Sequence, residues 1–331
     1  MSIRVIKAGL LDTIQDMGRN GYQHLGINPG GVMDRFASTT ANFLLGNDSN
    51  EAVIEMHFPG PAFLFEEDAI IAIDGADFSP TINGEKIRMR HPLVISKSSV
   101  LHFDKLVSGA RAYISIRGGL ALEPWLGSYS TNLKAAAGGF KGRHLQRDDV
   151  IRFRNKNDHT HLLHGKDFLH LPWEPDIRWN AILTEKIAVT PGHEWERLNE
   201  SSRKNFYTQP YSVSNAADRM GYRLAGNPLG TDNKKELVSS AVSFGTIQLL
   251  PDGQLIVLMA DHQTTGGYPR IGHVISAHLP RLAQLKPGDT IRFSAAGQRE
   301  AEELYLLQRQ HLLQLQNACI FRLADFFNDH L

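Results

Sequence analysis

A change from apolar to polar residues in the second half of the sequence marks its best candidate for chemistry. The stretch Leu255–Met259 is apolar, whereas nearly every residue of Asp261–Pro269 is polar, aromatic or glycine. A buried strand that ends in such a loop delivers functional groups to the mouth of a cavity. Asp261 and His262 can exchange protons, so we predict that they are the catalytic residues.

The rest of this segment, called the 261–269 loop from here on, carries groups that hold ligands. Amide and hydroxyl side chains orient a carboxylate, an amide or a developing oxyanion, and paired glycines let a ligand approach the backbone N–H groups. A tight turn that bonds its own backbone explains the Gly and Thr pairs, but not the density of Asp, His, Gln and Tyr. The predicted substrate-binding residues of the loop are Gln263, Thr264, Thr265, Gly266, Gly267 and Tyr268.

Segments rich in arginine or glycine supply further candidate groups for an anion. The segment Ser214–Leu224 contains two arginines, and a guanidinium fork suits a carboxylate or a phosphate. An Asp–Arg pair that joins two loops explains this segment equally well. Glycine-rich loops between residues 117 and 143 either cradle anions through backbone N–H groups or form ordinary β-turns. The further predicted substrate-binding residues are Asp218, Arg219, Arg117, Ser130 and Thr131.

The composition limits the classes of partner. The chain has 331 residues with 35 basic and 35 acidic side chains, so no field of one sign draws it to nucleic acid or to an anionic membrane. The single cysteine, Cys319, excludes an intrachain disulfide and a cysteine-rich zinc site, which fits the cytoplasm. No run approaches the roughly 18 apolar residues of a spanning helix. We therefore expect a cytoplasmic protein that is neither exported nor membrane-bound.

Short apolar runs rich in Val, Ile and Phe recur between Gly, Pro and Asp, which predicts a mainly β protein with few helices. Helical periodicity is clear only twice. Asp34 is a good N-cap for a helix that stops at Gly46, and Ser294 is a candidate N-cap for a long C-terminal helix. The predicted strands are Ala69–Ile73, Leu93–Ser96, Arg111–Ile116, Val150–Phe153, Thr246–Leu250, Leu255–Met259 and Thr290–Phe293.

An internal repeat divides the chain into two related halves. Three anchors recur at an offset of 184 or 185 residues and a fourth at 140, so the first half carries about 44 extra residues before its last anchor. The anchors are Asp34-Arg35 with Asp218-Arg219, Glu51 with Glu236, the strand ends Asp77 and Asp261, and Leu145–Phe153 with Leu285–Phe293.

The repeat predicts two β domains, residues 1–154 and 184–295, joined by a linker at 155–183 and followed by a helical tail at 296–331. The linker contains four histidines, a residue type that often binds metals. No acidic residue lies at helical spacing among them, and Asn, Asp and Pro interrupt the stretch, so we expect a solvated linker and no metal site. The four are His159, His161, His164 and His170.

Several common catalytic motifs are absent from the sequence. It has no Walker A pattern, no Gly-x-Ser-x-Gly elbow and no His-Glu-x-x-His. The chain thus offers neither an obvious nucleophile nor a nucleotide site of its own, and we expect it to act together with partner proteins.

Along nearly its whole length the sequence resembles the family described as the C subunit of 5-oxoprolinase, as KipA or as allophanate hydrolase subunit 2. The carboxyltransferase domain of urea carboxylase is similar too. Ala260–Pro269 is the longest and most specific matching motif, and Asp148-Asp149 departs from the Gly-Asp usual in the family. The other matching motifs are Thr13–Arg19, Pro29–Arg35, Ile116–Gly119, Gly127–Thr131 and Ser214–Leu224.

The resemblance implies two tandem cyclophilin-like β-barrels, in agreement with the repeat. It also implies one subunit of an ATP-dependent 5-oxoprolinase, a hydrolase that cleaves 5-oxo-L-proline to L-glutamate. Two partner subunits would complete this enzyme, one KipI-like and one LamB/YcsF-like. The complex would use ATP and Mg, which this chain alone would not bind. The chain has no biotin attachment motif, so no covalently attached biotin is expected.

In such a complex, Asp261 and His262 would manage protons. Gln263, Thr264 and Thr265 would hold the ring amide, and Arg219 or Arg117 would hold the carboxylate. Two alternatives stay open. One is a biotin-dependent carboxyltransferase subunit that acts on urea or a related amide, and the other is a KipA-like regulator that binds a KipI-like kinase inhibitor.

Overall fold

The computed structural model describes residues 2–155, 160–176, 186–232 and 237–329. The chain divides into two compact units. The first comprises Met1–Arg19, Asp34–Asp176 and His311–Leu331, and the second comprises Asn20–Met33 and Ile177–Gln310. These units differ from the predicted ranges, because residues 20–33 belong to the second unit and most of the predicted linker belongs to the first. The boundary predicted near residue 183 lies outside the described residues.

The strands of the first unit are β1 (Ser2–Lys7), β2 (Thr13–Gln15), β3 (Val53–His57), β4 (Ala62–Phe65), β5 (Ala69–Asp77), β6 (Pro80–Ile82), β7 (Glu85–Lys86), β8 (Leu93–Ile95), β9 (Val100–Phe103), β10 (Ser108–Ile116), β11 (Val150–Arg152) and β12 (Phe168–His170). They form two sheets, in the orders β11-β1-β4-β9-β6-β7 and β12-β8-β5-β10-β3-β2. Apolar residues from both sheets share one core.

The strands of the second unit are β13 (Ile187–Pro191), β14 (Tyr211–Val213), β15 (Gly221–Ala225), β16 (Ser240–Ala241), β17 (Thr246–Leu249), β18 (Leu255–Leu258), β19 (Thr265–Gly266), β20 (Arg270–Val274), β21 (Thr290–Ile291) and β22 (Phe293–Ala295). The main sheet has the order β21-β14-β15-β18-β17-β20-β13-β22. Its two outermost strands, β21 and β22, are separated only by Arg292 along the chain, so the sheet must curl back on itself. The second unit is therefore a nearly closed barrel around its own apolar core.

The described helices are α1 (Arg35–Leu44), α2 (Thr160–Leu163), α3 (Glu200–Thr208), α4 (Leu279–Ala283) and α5 (Gln298–Asp329). Helix α1 begins as predicted, because the carboxylate of Asp34 accepts the N–H of Ala37 at 2.9 Å. Within the described ranges, no helix has both the length and the hydropathy needed to cross a bilayer. The protein is mainly β, as the sequence predicted.

Two details of the helices differ from the sequence prediction. Ser294 lies within β22, so it does not cap α5, which begins at Gln298. Helix α3 was not predicted, since its face toward the core holds little more than Phe206 and Ser202. Its start is nevertheless encoded locally, because Asn199 accepts the N–H of Ser202 at 2.8 Å.

The turns that precede β11 and β21 confirm the last anchor of the repeat. In each turn an aspartate carboxylate accepts the N–H of the residue three positions earlier, at 2.7 Å for Asp149 and at 2.9 Å for Asp289. Each turn also contains a residue with positive φ, Asp148 at 69° and Gly288 at 91°. Asp148 stands where the family usually has glycine, and the turn is retained because Asp tolerates left-handed backbone better than most residues. Glu236, an anchor of the repeat, lies outside the described residues.

The predicted linker contributes a strand to the first unit. Its β12 pairs with β8, and His170 Nε2 accepts the N–H of Arg88 at 2.9 Å. Burial, followed by the charges of Arg88 and His91, lowers the pKa of His170 to about 4. Among the described residues, no three His, Cys, Asp or Glu side chains lie together as metal ligands. His159 lies outside the described residues.

A buried histidine in the second unit makes stability depend on pH. His278 Nδ1 accepts the N–H of Ala188 at 2.9 Å, and burial, followed by the charge of Arg281, lowers its pKa from 6.5 to about 4. This group therefore stabilises the fold fully above pH 6.5 and loses that contribution as the pH falls toward 4. Allowing for solvent screening, we expect a loss of about 2–3 kcal/mol.

Chemical denaturation between about pH 7.5 and pH 4.5 tests this expectation, since that range includes the ordinary pKa of 6.5 and approaches the lowered pKa of about 4. The free energy of unfolding of the His278→Gln variant should fall less steeply with decreasing pH than that of the unchanged protein, because glutamine does not titrate. Parallel curves would contradict the expectation.

Candidate functional site

A buried ion pair fixes the start of the 261–269 loop. The Arg219 guanidinium meets the Asp261 carboxylate in a fork, with Nε to Oδ2 at 2.8 Å and Nη2 to Oδ1 at 3.1 Å. Only 6% of the Arg219 side chain and 18% of the Asp261 side chain are exposed. Arg219 Nη2 also donates to the carbonyl of Gly31 at 2.6 Å, and the Asp261 N–H donates to the carbonyl of Arg219 at 2.8 Å.

This ion pair limits the roles that Arg219 and Asp261 can have in binding and catalysis. The guanidinium predicted to bind a substrate carboxylate is already bound by Asp261, as in the Asp–Arg pairing weighed from the sequence. Each Asp261 oxygen already accepts a hydrogen bond from Arg219, so only its remaining lone pairs can take part in proton exchange with a ligand. The catalytic assignment of Asp261 stays a prediction, while the geometry favours a positioning role.

His262 points into the protein. Its side chain is buried, and Nδ1 lies 2.6 Å from the carbonyl oxygen of Gln263. Because a carbonyl only accepts, Nδ1 carries the proton, and Nε2 is the acceptor in the neutral ring. The His262 N–H also donates to the carbonyl of Met259 at 3.1 Å, so this residue helps to shape the turn that follows β18.

A cavity of about 440 Å³ lies against the loop in the second unit. This volume suits a small organic ligand, for which protein sites measure about 300–1,000 Å³. Two loop residues, Gln263 and Tyr268, line it, and Asp218 does as well. The remaining lining residues are Ala216, Met220, Gly221, Arg223, Gln248, Leu250, Pro251, Asp252 and Ile256.

Strand pairing explains the floor of this cavity. Arg223 on β15 and Gln248 on β17 are both the cross-strand partners of Ile256 on β18. Directly opposed residues point to the same face of a sheet, and neighbouring strands lie about 4.8 Å apart. The side chains of Arg223 and Gln248 therefore leave the sheet roughly 10 Å apart, with Ile256 between them.

The middle of the loop holds the loop in place rather than lining the cavity. The carbonyl of Thr264 accepts the N–H of Val242 at 3.2 Å, and Thr265 and Gly266 form β19, which pairs with β16. A Cβ atom at Gly266 would lie 2.5 Å from Nε2 of Gln248, whereas one at Gly267 would meet nothing closer than 3.4 Å. Glycine at position 266 is thus needed for Gln248 to lie against the loop.

Asp218 organises the opposite side of the cavity. Its Oδ1 accepts the N–H groups of Met220 and Gly221 at 2.8 Å and 3.1 Å. Its counterpart in the repeat, Asp34, caps a helix instead, so the duplicated sequence has two different local structures. The second copy forms a turn, which leads directly into β15.

Ser130 and Thr131 do not lie in an open site. Both are buried, with Ser130 Oγ donating to Asp16 Oδ1 at 2.6 Å and Thr131 Oγ1 donating to the carbonyl of Ile14 at 2.9 Å. The carbonyl of Ser130 also accepts a hydrogen bond from Arg19. The structure therefore assigns these two hydroxyl groups to the internal bonding of the first unit.

Arg117 also belongs to the first unit. Its guanidinium carbon lies 4.1 Å from the centroid of the Phe327 ring, and burial lowers its pKa below the ordinary value. It lines a cavity of about 430 Å³ together with residues of α5. Arg117 is not among the residues that line the cavity beside the 261–269 loop.

Arg223 and Gln248 are among the cavity residues that were not predicted as site residues. Arg223 was visible as the second arginine of Ser214–Leu224, and its exposed position in β15 follows from strand alternation between the buried Tyr222 and Leu224. Nothing in the sequence marked Gln248 as a site residue. The neighbours of a polar residue in an apolar strand are known only once the pairing of the strands is known.

Comparisons with known proteins agree on one family. Residues 25–295 match the model of the carboxyltransferase domain, subdomain A and B. The chain is 33% identical to the C subunit of 5-oxoprolinase from Haemophilus influenzae over 312 residues, which cover 92% of this chain and 96% of that protein. It is also 33% identical to the corresponding 5-oxoprolinase subunit of Escherichia coli over 314 residues, or 95% and 97% of the two chains.

A solved structure shares the fold. The urea amidolyase of K. lactis aligns with a TM-score of 0.84 and 28% sequence identity over 95% of this chain. The aligned region is 20% of that much longer protein.

Proposed function

Because the chain belongs to the family of the 5-oxoprolinase C subunit and carries its carboxyltransferase domain, we propose that it is one subunit of a cytoplasmic, ATP-dependent 5-oxoprolinase. This enzyme adds water to the ring amide of 5-oxo-L-proline, breaks the C–N bond and releases L-glutamate. The observation that carries the proposal is near full-length similarity to two proteins of that name.

The cavity of the second unit supports binding of a small cyclic amide. Amide groups pair with amides, since each side-chain amide offers both acceptor and donor positions. Gln248 and Gln263 supply two of them, and Gln248 Nε2 also donates to the carbonyl of Tyr268 at 3.4 Å. Tyr268 adds a phenol, and Ile256 and Leu250 offer apolar surface to the ring. We infer that this chain binds and orients the substrate.

Partner subunits complete the proposed enzyme. An unstrained amide needs activation before it opens, and the sequence of this chain contains no Walker A motif. ATP and Mg are therefore assigned to the assembled complex, in which one partner is KipI-like and the other is LamB/YcsF-like. No covalently attached biotin is required.

Reconstitution tests the proposal. Glutamate formation from 5-oxoproline is measured with ATP and all three subunits, and then with each subunit left out in turn. We expect activity only from the complete mixture. Undiminished activity without this chain would remove the assignment.

Two adjacent glycines provide a matched test of the loop. Gly266→Ala places a methyl group against Gln248, so we expect kcat/KM of the reconstituted complex to fall roughly 10- to 100-fold through misplacement of the substrate. Gly267→Ala has room, and its effect should stay within about twofold. Equal effects of the two substitutions would contradict the proposed contact between substrate and Gln248.

A carboxyltransferase subunit that acts on urea or a related amide is the second candidate. The high structural similarity to a urea amidolyase favours it. Biotin would then have to arrive on another protein, so a requirement for a biotinylated carrier would support this candidate. A KipA-like regulator would need only a binding surface, so alanine at Asp261 or His262 would leave partner binding and signalling intact. Both enzymatic candidates instead predict that these substitutions lower activity.

A further inference from the structure

The cavity of the second unit contains one arginine that is not engaged by another part of the described chain. Arg219 is paired with Asp261, and Arg270 forms a fork with Glu194 at 2.8–2.9 Å. The guanidinium of Arg223, in contrast, has no hydrogen bond or ion pair with any described residue, although it lines the cavity. We propose that Arg223 binds the carboxylate of the substrate, which therefore belongs to the class of small cyclic amides that carry a single carboxylate.

This inference rests on the proposed function and specifies it further. The sequence had suggested Arg219 or Arg117 for this task. Arg219 is bound within the protein, and Arg117 lines a different cavity in the first unit. Arg223 is therefore the arginine that lies in the same cavity as Gln248 and Gln263.

The separation of the polar groups fits such a ligand. Arg223 and Gln248 project from strands on either side of Ile256 and leave the sheet roughly 10 Å apart. A five-membered ring with a carboxylate on one side and an amide on the other fills this distance once a hydrogen bond of about 2.9 Å is added at each end. Ile256 then contacts the face of the ring.

Two carboxylates limit the charge that the cavity accepts. Asp218 and Asp252 line it too, and one oxygen of each is bound by backbone N–H groups. They repel any negative charge beyond the carboxylate that Arg223 neutralises. We therefore expect a monocarboxylate to bind in preference to a dicarboxylate of similar length.

Steady-state kinetics of the reconstituted complex test the role of Arg223. Arg223→Gln removes the charged hydrogen bonds, so the KM for 5-oxoproline should rise roughly 10- to 100-fold while kcat changes little. Inhibition by 2-pyrrolidinone, which has the ring amide but no carboxylate, should be unchanged. Arg292→Gln is the matched control, because Arg292 is also exposed, lies in the same unit and does not line the cavity.

Two results would overturn the inference. One is an unchanged KM in Arg223→Gln, and the other is an equal loss of affinity for 5-oxoproline and for 2-pyrrolidinone, which would mean that Arg223 shapes the cavity without recognising the carboxylate.

Calorimetry on the purified chain separates this inference from the proposed function. An inactive wild-type complex would remove the proposed function, and binding of 5-oxoproline to the chain alone would then be compared between Arg223→Gln and Arg292→Gln. Loss of binding only in Arg223→Gln supports the inference. Equal binding by both variants, or no binding by the wild-type chain, overturns it.

Discussion

Replacing Asp261 with alanine is expected to lower the free energy of unfolding by about 3 kcal/mol and to abolish activity of the reconstituted complex. The substitution leaves the Arg219 guanidinium buried with the carbonyl of Gly31 and without its carboxylate. An uncompensated buried charge is costly because the protein interior solvates it poorly. The loop that begins at Asp261 also loses the contacts that hold Gln263 and Tyr268 against the cavity.

The double variant Asp261→Ala/Arg219→Met distinguishes a positioning role of the ion pair from a catalytic role of Asp261. It removes both charges, so much of the lost stability should return. Partial recovery of activity would mean that the pair only positions the loop. Continued inactivity of a stably folded double variant would support the predicted catalytic role of Asp261. An isosteric Asp261→Asn variant with full activity would remove that role.

The exposed pair of Arg203 and Glu196 in the same unit serves as the control for this experiment. The Glu196 side chain is 77% exposed, and an exposed ion pair contributes no more than about 1 kcal/mol. Glu196→Ala should therefore change denaturant midpoints little. A comparable loss from both substitutions would show that the Asp261–Arg219 pair is not specially important.

Replacing Asp16 with alanine is expected to destabilise the first unit by about 4 kcal/mol. The buried Asp16 carboxylate accepts four hydrogen bonds, three of them from the segment 128–130 at 2.6 Å each and one from the N–H of Gly18 at 2.8 Å. Its removal leaves these buried donors unpaired, and each unpaired donor costs about 1–3 kcal/mol. Not all of these costs add, since the segment can relax toward water.

Thermal or chemical denaturation measures this effect, with Asp104→Ala as the control. Asp104 is an exposed aspartate of the same unit that pairs with His102, so its loss should cost less than about 1 kcal/mol. Ser130→Ala should behave as a milder version of Asp16→Ala and lower stability. A fully stable Ser130→Ala variant with a raised KM would instead restore the sequence-based assignment of Ser130 to substrate binding.

Local patterns predicted some elements of the fold, including seven stretches that are strands among the 22 described ones. Short apolar runs between Gly, Pro and Asp located these strands, and Asp34 located the start of α1, because both signals depend on neighbouring residues. Helix α3 was not predicted, because its sequence is polar and lacks a periodic apolar face; Phe206 is its main buried apolar residue. The repeat predicted two β units, but not that residues 20–33 belong to the second.

The candidate site was predictable only in part. The abrupt change in polarity after Met259 indicated a loop, and two residues of that loop, Gln263 and Tyr268, line a cavity. The chemistry of single residues could not be inferred, because the availability of a charged group depends on what lies opposite it. Asp261 and Ser130 each looked like site residues, and each is bound by a distant partner.

The sequence by itself thus determined seven of the strands, the duplication and the position of the 261–269 loop, since these follow from local periodicity and composition. The tertiary structure decided which polar groups are occupied and which face a ligand. It joined Arg219 to Asp261 and Ser130 to Asp16, and it aligned Arg223 with Gln248 across three strands. These pairings arise from strand register and packing between residues far apart in the chain, and no local pattern encodes them.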